Sequence, residues 1–143
     1  MHFKTTGLQM KRAQCNCGAL TAEVEGEPEA VVACSCTDCQ RRTGSVIGVG
    51  AYYPAERVRI SGASTSWERE AASGKKFRQN FCPVCGSSVF FTADLKPGII
   101  GIAVGAFADK DFPKPMRSVW EQSHHAWLGL PEGIPHFPRG RAG

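Results

Sequence analysis

No apolar run approaches the roughly 20 residues that a membrane-spanning helix needs, so a helical membrane span is excluded. Helical periodicity is also missing. No stretch of about 11 residues or more places apolar side chains at i, i+3, i+4 and i+7, which leaves only single turns such as Thr37 to Arg42. The first ten residues, MHFKTTGLQM, lack the apolar stretch of about 7 to 15 residues and the small-residue cleavage site of a secretory leader. A cytoplasmic location is the expectation. There is no low-complexity tract and no repeat of fixed period; the 16 Gly and 9 Pro are scattered as turn punctuation. At 143 residues, 42% apolar and 21% charged, the chain suits one ordinary globular domain spanning 1–143.

What the sequence does contain is short strands. Leu20, Ala22 and Val24 alternate with Thr21, Glu23 and Glu25, the period of two of a strand with one buried face. Further runs rich in β-branched or aromatic residues are Val31–Cys34, Val46–Tyr53, Val58–Ile60, Ser66–Glu70, Phe77–Phe81, Ser88–Thr92 and Ile99–Val104. Eight strands are predicted, and the class is mainly β. The tail from Phe112 to Pro138 holds five prolines, Trp120, Trp127, His124, His125 and His136. It reads as an irregular strap whose Trp120, Trp127, Leu128, Leu130, Ile134 and Phe137 cover a small core.

Cysteine is the outlier. All seven fall in three clusters: Cys15-Asn16-Cys17-Gly18, Cys34-Ser35-Cys36-Thr37-Asp38-Cys39, and Cys82-Pro83-Val84-Cys85-Gly86. The count is odd, and a Cys-x-Cys pair is too close for an unstrained mutual disulfide, so metal ligation is favoured. Zinc takes tetrahedral thiolate sets, and sulfurs one or two residues apart reach one ion from a single tight turn. Gly18 and Gly86 allow that turn. Seven ligands divide most naturally as four plus three. Cys15, Cys17, Cys82 and Cys85 make a closed structural site, whereas Cys34, Cys36 and Cys39 leave one position open, as catalytic zinc does. The alternative is that His124, His125 or Asp38 fills that position and makes both sites structural.

These pieces resemble the glutathione-dependent formaldehyde-activating enzymes, which share a domain with centromere protein V. The matching segments are CNCGAL (15–20), CSCTDCQRRTG (34–44), SGKKFRQNFCPVCGSSVFF (73–91) and, less specifically, SVWEQSHHAWLGLPEGIPHF (118–137). The resemblance implies a β-tent of small antiparallel sheets with zinc-binding knuckles and little helix. It also implies two Zn2+ per chain: a structural one on Cys15, Cys17, Cys82 and Cys85, and a substrate-side one on Cys34, Cys36 and Cys39. The chain departs from the family pattern at Ser35 and Ser118, where histidine is usual.

Three thiolates on a zinc dication carry about one net negative charge, so water activation is disfavoured and a fourth sulfur is preferred. The expected function is carbon–sulfur lyase or synthase chemistry on a glutathione–aldehyde adduct such as S-(hydroxymethyl)glutathione. Glutathione's carboxylates need cations, and Arg41 and Arg42 just after Cys39 are the candidates, with Lys75, Lys76 and Arg78 behind them. The other reading is a non-catalytic zinc-stabilised module that carries a thiol or binds protein or nucleic acid. Seventeen basic against 13 acidic residues give +4, but thiolate ligation of two zinc ions lowers this to about +1, which disfavours nucleic acid. An exposed strand edge makes a homodimer the further expectation on partners.

Overall fold

The computed structural model describes residues 9–140, so most of the N-terminal segment read above for a leader lies outside the described residues. Among the described residues there are ten strands: β1 (Met10–Gln14), β2 (Thr21–Glu25), β3 (Ala30–Cys34), β4 (Gly48–Pro54), β5 (Val58–Ser61), β6 (Thr65–Glu70), β7 (Lys76–Phe81), β8 (Ser88–Ala93), β9 (Ile99–Ala103) and β10 (Arg117–Val119). The α-helix α1 covers Thr37–Thr43, and three short 3-10 turns complete the elements. The chain is mainly β, as the alternation predicts. No helix among the described residues is long and apolar enough to cross a membrane.

The strands form two sheets. One has the order β1-β2-β5, and the other β10-β3-β4-β9-β8-β7-β6. Alternation builds the core between them: Ala13, Leu20, Ala22 and Val24 from the small sheet meet Val31, Ala51, Tyr53 and Ile102 from the large one, all fully buried. At about 25 cal/mol per Å2 of apolar surface, each such Leu, Ile or Val adds roughly 1.5–3 kcal/mol.

Two strands escape the sequence reading. β1 has the weakly patterned sequence MKRAQ, in which only Ala13 is buried, and its register Met10↔Glu25 to Gln14↔Thr21 comes from pairing with β2. β10 has three residues and pairs parallel with β3, from Arg117↔Val32 to Val119↔Cys34. The large sheet is therefore seven-stranded and includes one parallel pair. That pair turns the proline-rich tail from a loose strap into part of the sheet. The tail then folds back on itself, with Ser118 donating to the carbonyl of Pro135 and Phe137 to that of Ser118. Trp127 does not pack as expected: it is 72% exposed and meets the His125 ring edge-on at 5.8 Å between centroids.

Candidate metal centres

The first cysteine group joins the two sheets. Cys15 follows β1 of the small sheet, and Cys82 follows β7 of the large one. Both are buried, while Cys17 and Cys85 are exposed. The Sγ atoms of Cys15 and Cys17 are 3.6 Å apart, and those of Cys17 and Cys82 are 3.7 Å apart. All four sulfurs lie within 4.8 Å of one another. A tetrahedron with zinc–sulfur bonds of about 2.3 Å has edges of about 3.8 Å, so both of these spacings fit zinc. Backbone N–H groups already point at the sulfurs: Leu20 donates to Cys15 Sγ at 3.2 Å and Val84 to Cys82 Sγ at 3.3 Å. Gly18 and Gly86 supply the turns, at φ of 85° and 81°. The Ser87 hydroxyl beside Cys85 holds that thiol down at about 5, so this corner takes a negative charge readily.

The second group is built by one strand end and one helical turn. Cys34 closes β3, Cys36 caps the N-terminus of α1, and Cys39 lies in its first turn. Cys36 Sγ accepts from the backbone N–H of Cys39 at 3.3 Å. The three sulfurs lie within 4.8 Å of one another, and among the described residues no histidine or carboxylate joins them. Hydrogen bonds from the Cys34 and Cys36 thiols hold Cys39 at about 2; burial opposes this, and the neighbouring Arg42 guanidinium adds to it. Cys34 is pushed up by the same sulfur contacts and then by burial. Within the trio, Cys39 is thus the corner that takes a negative charge most readily, and the Arg42 guanidinium beside it favours that charge.

The residues considered for the fourth corner are engaged elsewhere. Asp38 pairs with Arg69 at 3.3 Å, His124 Nε2 lies 2.8 Å from the Leu128 carbonyl, and His125 Nε2 lies 3.1 Å from Gln40 Oε1. Gln40 is a clasp: its amide donates to the carbonyls of Ser35 at 2.9 Å and Ser123 at 3.2 Å, fastening the tail over α1. Ser35 and Ser118, the two departures from the family pattern, are fully buried beside the β3–β10 seam.

Of the cationic candidates, only Arg42 faces the trio, with its guanidinium 4.8 Å from the centre of the Phe91 ring. Arg41, Lys75 and Lys76 are exposed. Arg78 is held by Glu68 at 2.7 Å and Asp94 at 2.9 Å. Sequence reasoning missed Tyr52, whose phenol is pushed up to about 12 by burial and then by the charges of Cys39 and Cys34. It also missed Phe91 and Arg69. Strand alternation puts Tyr52 and Cys34 on definite faces, but only the register Cys34↔Gly48 and Ala30↔Tyr52 shows that the face is shared.

The model of the glutathione-dependent formaldehyde-activating enzyme family matches residues 10–123. The chain belongs to that family. The matched span contains every cysteine of both groups, so the geometry above is that of a family member. The crystal structure of a Rhodobacter sphaeroides protein is similar at a TM-score of 0.53 and 20% identity, over 88% of this chain and 98% of that one. At that identity the likeness concerns the fold alone. No curated protein matches the chain.

Proposed function

We propose that the protein is a zinc-dependent enzyme of carbon–sulfur chemistry acting on the adduct of glutathione with formaldehyde, S-(hydroxymethyl)glutathione. Membership of the family supports a formaldehyde-activating function. The observation that carries the finer reading is the open corner of the trio: Cys34, Cys36 and Cys39 converge, and among the described residues no histidine, carboxylate or further cysteine completes them. Cys15, Cys17, Cys82 and Cys85 would hold a structural zinc, and the trio a second. Zinc on the trio would be a soft centre whose open position suits a thiol and lowers its pKa from about 8.5.

The chain's own residues do the rest. Arg42 offsets the negative charge of the sulfurs. Tyr52 keeps its proton well above neutral pH, so it serves as a hydroxyl donor and not as a base. Gln40 holds the tail over α1. The reaction joins the thiol sulfur to the carbonyl carbon of formaldehyde while the carbonyl oxygen gains the thiol proton. Nothing is oxidised or reduced, and the reverse step releases both partners. Seven free cysteines suit a reducing compartment, and the cytoplasm is the location assigned.

The test is Cys36→Ala, with zinc content and the glutathione–formaldehyde exchange rate measured together, above the uncatalysed background. Retention of one zinc with loss of the acceleration supports the reading. Unchanged acceleration refutes it, and glutathione binding without acceleration in the wild-type protein identifies a thiol carrier instead.

A further inference from the structure

The helix-bearing face of the seven-stranded sheet carries an arrangement that the chemistry above uses only through Arg42. The rings of Phe91 and Phe77 stack at 5.5 Å between centroids. Each ring carries a guanidinium: Arg42 lies 4.8 Å from the centre of Phe91, and Arg69 lies 4.6 Å from the centre of Phe77. Arg42 comes from α1 and Arg69 from β6, so distant parts of the chain each set a cation on one pair of stacked rings. Asp38 closes the circuit, one helical turn from Arg42 and 3.3 Å from an Arg69 nitrogen.

We infer that Arg42 and Arg69 form a shelf that takes the carboxylates of a peptidyl thiol such as glutathione, and that Asp38 holds Arg69 until the ligand displaces it. The inference rests on the reading of the trio as a thiol site. Arg42 shares its guanidinium with Cys39 and Arg69 reaches the Glu70 carbonyl at 3.5 Å, but the Arg42 Nε–H has no partner, and the five N–H groups of a guanidinium leave donors that match a carboxylate. A ligand carrying two carboxylates is repelled by an anionic sulfur site, so cations must stand beside it. The Asp38 contact is a single pair at 3.3 Å, longer than the roughly 2.7–2.9 Å of a strong charge-assisted bond, and the Asp38 side chain is 53% exposed. Such a pair is weak and exchangeable. Arg69 keeps only 17% of its side-chain surface, so its fork is already positioned. Arg78, held by two carboxylates at shorter range, is not exchangeable in this way.

The experiment is calorimetric titration of the zinc-loaded full chain with S-methylglutathione, which keeps both carboxylates and has no free thiol. Arg69→Gln weakens binding about tenfold or more, the worth of one charge-assisted bond. Asp38→Asn tightens it several-fold by freeing Arg69. If the Asp38–Arg69 pair were only structural, both variants would weaken binding, so opposite signs support the shelf and like signs overturn it. No effect of either variant, or no binding by the wild-type protein, also overturns it. Cys36→Ala tests the thiol site through turnover, whereas the shelf is read from S-methylglutathione binding by the Arg69 and Asp38 variants, so the two readings fail separately. Turnover retained in Cys36→Ala removes the thiol site, and the shelf is then judged on the Arg69 and Asp38 variants alone.

Discussion

Adding one methyl group at Gly101 tests whether the aromatic floor is as tightly built as the structure shows. A Cβ there would sit 2.2 Å from Phe91 Cε2, 2.6 Å from Cδ2 and 3.0 Å from Cζ. Carbon atoms in contact prefer about 3.5–4.0 Å, so the ring must move by roughly 1 Å or more. Phe91 is 4% exposed and hemmed in by Phe77, Tyr52 and Arg42, so it has nowhere to go. Overpacking of this kind costs about 1–3 kcal/mol, and removing a strand glycine returns about 0.5–1 kcal/mol. The clash is with ring atoms and not with a flexible tip, so the upper half of that range applies, for a net loss of ~2 kcal/mol. Unfolding entropy of about 2.1 cal/mol/K per residue gives ~0.3 kcal/mol/K over 143 residues, so Tm falls by about 7 °C. The assay is thermal and urea unfolding of the zinc-loaded protein. Gly105→Ala is the control, since a Cβ at Gly105 meets nothing within 4 Å. Adding Phe91→Leu to Gly101→Ala should recover part of the loss, a coupling that a double-mutant cycle measures. If Gly101→Ala matches Gly105→Ala within about 0.5 kcal/mol, the packed floor does not exist as described.

Four further outcomes are expected. Cys82→Ser, which strikes the buried corner between the sheets, should abolish cooperative unfolding or lower Tm far more than Cys36→Ser, because structural zinc sites contribute on the order of 10 kcal/mol; equal Tm values for the two variants would contradict this. Arg41→Glu should leave the KM for glutathione unchanged and Arg42→Glu should raise it about tenfold, since Arg41 is exposed and Arg42 faces the trio; equal KM effects would place both or neither at the site. Burial pushes both of the chain's tyrosines, Tyr52 and Tyr53, up to about 12, so absorbance near 295 nm should stay flat until about pH 11. The unfolded chain releases these protons from about pH 10, so stability falls as pH rises past that point; a tyrosinate midpoint near 10 in the folded protein would refute the burial argument. Trp127→Ala should change stability by less than about 0.5 kcal/mol, because the ring is 72% exposed; a larger loss in urea unfolding would restore a packing role.

Much of the molecule can be read along the chain because its causes are local. Alternation over Leu20 to Glu25 marked the buried face, and Leu20, Ala22 and Val24 are indeed fully buried. Cysteines two or three positions apart can meet on one turn, so the division of the seven into four and three was visible before any fold was known, and the sulfurs converge in those two groups. The short helix after Cys36 followed from the lack of helical period elsewhere. β1 and β10 were not legible, since a strand of low propensity or of three residues exists only through its partner.

The neighbours of the trio belong to the tertiary structure alone. Arg42 and Arg41 are adjacent in sequence and chemically alike, and only the packing of α1 on the sheet turns one onto Phe91 and the other into water. Arg69 lies 30 positions beyond Cys39 on an edge strand, and its meeting with Asp38 depends on the register of β6, β7 and β8. The ligand chemistry of cysteine is written in spacing because a turn spans it. The cationic and aromatic surroundings arise from strand order, and no interval along the chain encodes that order.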